Sequence, residues 1–417
     1  MAVSTLTQKE KKNINQSEDR RNLSIAVLGS GLMGHGIAYA AAIAGFKVLI
    51  LDLTENTAKK GLERIHRLLE KDLMNNVITK QLFHETINRI TTASNYEKLE
   101  NKNLIIEAIF EDLEIKTKAI TKAKKYMDPN GFIASNTSTI PISVIASKIT
   151  KPENFIGLHF FSPVHRMKLV EIIKGADTSS NTLSTALDFV LQINKTPIIV
   201  NDYPGFYTTR VFAKYPCEGM ALLHEGIKAT SIENAGKKAG YPIGPLAISD
   251  EVNIDLIRRI RRQIFKYDKN SITGTWDNVI ELMVTKLNRV GRSGDGGFYT
   301  YPKGEKKYIW ENLKKHFPIA TNQIPEKDIM DRLTFIQIIE AIHCYEKNII
   351  TTAHDANVGS ILGWGFPKST GGVLQFVNNY GVVRFKDRLI ELADNYGDRF
   401  SPPALLNEMV ENKEIFH

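Results

Sequence analysis

His159 and Glu171 bracket the segment "HFFSPVHRMKLVE", and an imidazole beside a carboxylate is a proton-transfer pair. His159 closes the apolar run "FIGL", while Pro163 and the polar pair at 165–166 suggest a bend between two strands. On neighbouring strands, Glu171 would receive an imidazole N–H, fixing the tautomer and stabilising the imidazolium, which makes His159 a general base near neutral pH. A core histidine bonded to a backbone carbonyl is the alternative, and the residues alone leave both open. Ser138 is open in the same way. It follows the strand-like "GFIAS" as a candidate active-site hydroxyl, and it would equally suit a helix N-cap before "TIPISVIA", with Pro141 in the first turn. Glu107 and Glu111 after "NLII", with Asn136 and Thr137 after "GFIAS", add further polar groups at strand ends, where ligands of open α/β sheets bind.

Such groups need a frame, and the stretch "LSIAVLGSGLMGHGIAYAAAIAGFKVLILDL" (23–53) supplies its start. Residues 23–29 suit a buried strand; Gly29, Ser30, Gly31, Leu32, Met33 and Gly34 fill the spacing G-x-G-x-x-G. A helix is expected over 32–44, ended by Gly45, then a strand from Phe46 to Leu51 that leads to Asp52. In a dinucleotide site the first glycine makes the tight turn, the second admits the pyrophosphate and the third lets helix and strand pack closely. The unpaired N–H groups at the helix start then hold phosphate, and Asp52 would accept the ribose hydroxyls. A bare glycine turn between two buried elements is the competing reading, but strand, helix, second strand and acid all fall where the mechanism needs them. Gly29, Gly31, Met33, Gly34, Asp52 and Asn136 are the candidate cofactor contacts, and an acid at 52 favours NAD over NADP.

Strand and helix patterns alternate onward: helices in 54–74, 78–88, 112–126 and 179–193, strands at 103–110, 131–135, 153–161, 168–173 and 196–200. The reading is an α/β doubly wound sheet of Rossmann type. At 42% hydrophobic and 24% charged the chain is globular, and 417 residues suit two or three domains. The formal charge of +8 favours anionic partners, but no basic block interleaved with aromatics points to nucleic acid. Cys217 and Cys344 lie far apart without metal-ligand spacing, so neither a disulfide framework nor a metal site is expected. Residues 1–22 read as a disordered tail without the apolar core of a signal peptide. No apolar run reaches the ~18 residues of a membrane span, which makes the cytoplasm the expected compartment.

The chain resembles the L-3-hydroxyacyl-CoA dehydrogenase family, in particular the dehydrogenase part of the multifunctional fatty-acid oxidation α subunit. The resemblance rests on "GSGLMGHGIA" (29–38), "IIEAIFEDLEIK" (105–116), "ASNTSTIPIS" (134–143), "HFFSPVHRMKLVEII" (159–173), "PGFYTTR" (204–210), "GYPIGP" (240–245) and "GDGGFYTY" (294–301). It implies His159 as catalytic base, Glu171 as its partner and Ser138 as the serine that bonds the reacting substrate oxygen. Glu111 and Lys116 match positions near the nicotinamide ribose. It further implies oxidation of a 3-hydroxyacyl-CoA by NAD in fatty-acid β-oxidation. Alternatives are a 3-hydroxybutyryl-CoA specialist, another 3-hydroxy acid dehydrogenase, or a non-catalytic NAD-binding assembly protein. Ser162 and Thr209 stand where single-function members carry Asn, which puts substrate positioning in doubt, and Asn253 stands where glycine is usual. The basic residues of the 54–88 insertion match an arm that helps hold CoA, and none is singled out.

Beyond "PGF" the pattern turns helical and repeats. In "EGIKATSIENA" (225–235) and "EKNIITTAHDA" (346–356), Glu225, Thr230 and Ala235 align with Glu346, Thr351 and Ala356. Gly240-Tyr241-Pro242 likewise matches Gly365-Phe366-Pro367. The expected organisation is a tail (1–22), a Rossmann domain (23–201) with a helical insertion at 54–88, a helical domain (202–301), a linker (302–328) and a duplicate helical domain (329–417). The multifunctional branch carries this tandem, whereas single-function members dimerise through one copy. The second copy is therefore expected to cover the dimer surface, leaving a monomer or a different dimer. With the NAD domain starting near the N-terminus, hydration and thiolysis are expected to fall to a separate enoyl-CoA hydratase and thiolase.

Overall fold

A computed structural model describes residues 23–269 and 273–417; the expected tail at 1–22 lies outside them. The chain divides into two compact units, Met1–Tyr203 and Pro204–His417. Among the described residues no helix is long and apolar enough to cross a membrane.

The first unit is built on one eight-stranded sheet. Its first strand, β1 (Ser24–Leu28), leads through the glycine turn into α1 (Leu32–Ile43), and β2 (Lys47–Leu51) follows. Two arm helices, α2 (Glu55–Met74) and α3 (Lys80–Asn88), come next, then β3 (Ile90–Ala93) and β4 (Leu104–Glu107). The chain continues through α4 (Leu113–Lys124), β5 (Phe132–Ser135), α5 (Ile142–Ala146), β6 (Phe155–Phe160), β7 (Leu169–Lys174), α6 (Ser180–Gln192) and β8 (Thr196–Asn201). The spatial order is β3-β2-β1-β4-β5-β6-β7-β8. Every pairing is parallel except β6 with β7. The strand order reverses between β1 and β4, which opens the crevice where such sheets bind ligands.

Ile25, Ala26, Val27, Leu104, Ile105 and Ile106 are wholly buried, which explains why these strands read as continuous apolar runs. Each large aliphatic side chain there contributes roughly 1.5–3 kcal/mol by burial. The arm helix α2 begins at Thr54, whose hydroxyl accepts from the Thr57 amide, and turns Ala58, Gly61, Ile65 and Leu69 inward. One strand escaped the sequence pattern. The expected first strand after the arm was 103–110, yet "ITTA" pairs beside β2 as β3, and β4 stops at Glu107. Four residues with two threonines are too short to show a period.

The second unit contains two related helical sets. The first comprises α7 (Thr208–His224), α8 (Ala229–Lys238), α9 (Pro245–Val252), α10 (Ile254–Tyr267) and α11 (Thr275–Glu281). Residues 302–328, expected as a linker, contain β10 (Tyr308–Ile309), which pairs with β9 (Tyr299–Thr300), and α12 (Leu313–His316). The second set comprises α13 (Glu326–Glu346), α14 (Ala353–Trp364), α15 (Val373–Tyr380), α16 (Val382–Tyr396) and α17 (Ala404–Asn412). The sets pack reciprocally: a Cβ on Gly240 would meet Pro367, and one on Gly365 would meet Pro242. The same backbone conformation recurs at Asn253 (φ 86°, ψ 117°) and at Gly381 (φ 92°, ψ 118°). A glycine at position 253 would adopt that conformation without the steric cost of a side chain.

Candidate active site

The carboxyl ends of the strands form the rim. Leu51, Leu28, Glu107 and Ser135 stand side by side in register, so the residues just beyond them emerge together.

At one end lies the glycine loop. Gly29 takes φ +94°, and a Cβ there would press on the Ala108 carbonyl. A methyl on Gly34 would collide with the Gly29 carbonyl oxygen, so α1 can approach β1 only without one. Around Gly31, by contrast, a Cβ would meet nothing within 4 Å; the space above the loop is open to a phosphate. Met33 is half-buried in the first turn of α1. The Asp52 carboxylate accepts from the Ser30 amide (2.7 Å) and hydroxyl (2.5 Å). Burial alone would raise its pKa, but bonds from Ser30 and the Leu53 amide outweigh burial and hold it below the usual range. Asp52 is thus an anionic acceptor that also braces the loop. Loop, helix start and acid fit a dinucleotide. Ser30 was not singled out in the sequence, since any residue satisfies the second position of the motif.

At the middle of the rim, Lys116 bonds Glu107 (2.7 Å) and pairs with Glu111 (3.1 Å). Glu111 in turn accepts from the Thr137 hydroxyl, the Ser138 amide and the Thr139 hydroxyl. Burial would lift the Glu111 pKa, yet Lys116 and these donors hold it low. Ser138 is half-buried. It does not cap α5, which starts at Ile142 with Pro141 ahead of it and no side-chain cap. The Asn136 Oδ1 accepts from the Phe160 amide (2.8 Å), so this side chain clamps the strand immediately after His159.

At the far end, antiparallel pairing sets His159 directly opposite Glu171. The imidazole Nδ1 lies 2.9 Å from Glu171 Oε2. Glu171 is fully buried and His159 nearly so; the histidine's partner is a carboxylate rather than only a backbone carbonyl. Phe161 packs on the imidazole with centroids 4.6 Å apart, and Ser162 follows, exposed. Thr209 stands in the first turn of α7, in the second unit.

The chain is similar in sequence to known proteins. Residues 24–203 match the model of the 3-hydroxyacyl-CoA dehydrogenase NAD binding domain, and residues 205–301 that of the C-terminal domain. The chain belongs to the 3-hydroxyacyl-CoA dehydrogenase family. Its first unit is therefore the family's NAD-binding domain. The fatty acid oxidation complex subunit alpha of Pseudomonas aeruginosa is 33% identical over 401 residues, covering 94% of this chain and 55% of that protein. The Shewanella frigidimarina subunit of that name is 34% identical, covering 95% and 56%. The chain thus spans about half the length of the curated relatives it matches. Among solved structures, 3-hydroxybutyryl-CoA dehydrogenase from Escherichia coli superposes with a TM-score of 0.82 at 24% identity. That match covers 94% of this chain and 98% of the other and shows a common fold. (S)-3-hydroxybutyryl-CoA dehydrogenase from Ralstonia eutropha, 30% identical, matches with a TM-score of 0.64, covering 67% and 99%. In this member of the dehydrogenase family an acid–imidazole pair and a glycine loop stand on one sheet rim.

Proposed function

We propose that the protein is an NAD-dependent L-3-hydroxyacyl-CoA dehydrogenase of fatty-acid β-oxidation, oxidising the C3 hydroxyl to a 3-oxo group. The observation that carries this reading is the His159–Glu171 pair, matched in register and bonded at 2.9 Å. With Nδ1 facing Glu171, Nε2 is the nitrogen that exchanges the proton, removing it from the C3 hydroxyl as the C3–H bond breaks. Glu171 stabilises the imidazolium formed. Ser138 would bond the reacting oxygen as it changes from hydroxyl to carbonyl. Bound NAD supplies the nicotinamide ring that accepts the C3 hydride. Gly29, Gly31, Met33 and Gly34 would hold its diphosphate, Asp52 its adenosine ribose, and Glu111, Lys116 and Asn136 its nicotinamide end. Ser162 would contact the acyl-CoA.

On this reading the enzyme is cytoplasmic, monomeric or dimeric, and its substrate and product connect it to enoyl-CoA hydratase and thiolase activities. The test is NAD reduction by L-3-hydroxyacyl-CoAs from butyryl to palmitoyl length, repeated with NADP. Turnover with NAD across several lengths is expected. Turnover at the four-carbon length alone would favour a 3-hydroxybutyryl-CoA specialist, the activity named in both solved relatives above. NAD binding without turnover on any acyl-CoA would leave an assembly protein.

A further inference from the structure

The rim holds a buried carboxylate for which the proposed chemistry has no direct use. Glu107, the last residue of β4, is 0% exposed, and three donors converge on it: Lys116 Nζ (2.7 Å), Ser135 Oγ (2.6 Å) and the Ile109 amide (2.9 Å). Burying a carboxylate is costly unless it is paired and hydrogen-bonded, and this one is both. From it an unbroken chain of contacts runs to the site. Lys116, itself 1% exposed, reaches Glu111 at 3.1 Å. Glu111 Oε1 then gathers the Thr137 hydroxyl (2.5 Å), the Ser138 amide (3.1 Å) and the Thr139 hydroxyl (3.1 Å).

A lysine paired only with Glu111 would be a point charge on a flexible four-carbon stem. Glu107 grips the ammonium from the buried side, so Glu111 meets a fixed cation. Burial would lower the Lys116 pKa, but the two glutamates outweigh it and keep the side chain charged. We infer that Glu107 is a positioning residue: through Lys116 and Glu111 it holds the Thr137–Thr139 turn, and with it the Ser138 hydroxyl, at the place where the substrate oxygen is bonded. The inference rests on the proposed dehydrogenase reading for its catalytic consequence, but not for its structural one.

The experiment is Glu107→Gln, which keeps the shape and removes the charge, read in two ways. Amide exchange at Ser138 should speed up by about tenfold or more as the turn loosens. In the active enzyme kcat should fall roughly 10- to 100-fold with the acyl-CoA KM within about threefold, the pattern of an interaction made in the transition state. A merely structural role would lower melting temperature without that split. Glu111→Gln should produce a similar loss, and the double variant should add little to it, because both act through one chain. Unchanged exchange at Ser138, kcat within about twofold of the parent, or fully additive losses would each overturn the inference. Should Glu107→Gln fail to fold, Glu107→Asp keeps the charge and draws it back from Lys116. It must then speed Ser138 exchange, and no change there overturns the proposal. If the parent enzyme itself turns over no acyl-CoA, the dehydrogenase reading fails, while the exchange measurement still decides the role of Glu107.

Discussion

Both units bury charged side chains, and they use them differently. In the first unit Glu107 and His159 are buried near the carboxyl ends of β4 and β6, with Lys116 of α4 and Glu171 of β7 buried against them, and the chain from Glu107 through Lys116 reaches the rim at Glu111. Glu111, paired with Lys116, keeps 37% of its side chain exposed. In the second unit the charges run between the two long helices. Arg332 on α13, 0% exposed, grips Glu218 and Glu225 of the first set, and Arg210 on α7 grips Glu340 of the second. The two ties mirror one another, since each long helix contributes an arginine from its first half and a glutamate from its second. Burial of a charge is therefore no sign of catalysis by itself. What separates the two uses is where the network lies: it ends at the strand rim in the first unit, and it ties two helices together in the second.

The sharpest way to break this contrast is His159→Gln. It should lower kcat by ~10²–10⁴-fold, the share that general-base help supplies, with the melting temperature nearly unchanged. Near-normal turnover would place the chemistry elsewhere. The counterpart in the second unit is Arg332→Met, which leaves Glu218 and Glu225 to Arg399 alone. Breaking a buried pair costs roughly 3–5 kcal/mol, and the remaining arginine keeps the expected loss near the lower figure. Thermal denaturation should show it as a drop of roughly 10 °C; NAD affinity that falls in step would mean that this network also serves the site. The smallest effect concerns the two sets of helices. Asn253 carries φ 86°, a strained conformation that glycine adopts at Gly381, and it recovers part of the strain by accepting the Leu256 amide and donating to Ser293. Strain of this kind costs about 1–3 kcal/mol, and losing an Asn cap to glycine costs only a few tenths. Asn253→Gly should therefore stabilise the protein, by about 1 kcal/mol once glycine's extra chain entropy is allowed for. Denaturant unfolding that shows a loss instead would mean that the two bonds outweigh the backbone.

Much of the first unit was legible from residues 23–53, because a glycine motif followed by apolar strand and acid has few other physical uses. The elements after it were readable wherever an apolar run was long. The short β3 strand was not, and the extent of β4 was overestimated, since side-chain period carries no information over four residues. The helical duplication showed itself in Glu225 and Glu346 and in the two glycine-proline turns, but not the crossing of Gly240 onto Pro367.

What the sequence determined by itself was chemistry along the chain: which residues can turn tightly, accept a ribose or move a proton, and in what order they come. Tertiary structure decided which of them meet. His159 reaches Glu171 because β6 and β7 run antiparallel in one register, and a slip by a single residue would turn the two side chains to opposite faces. Glu107 gained its place only when Lys116, from the following helix, and Ser135, from the next strand, closed over it. Contacts of that kind depend on strand order and register, which many distant residues set together.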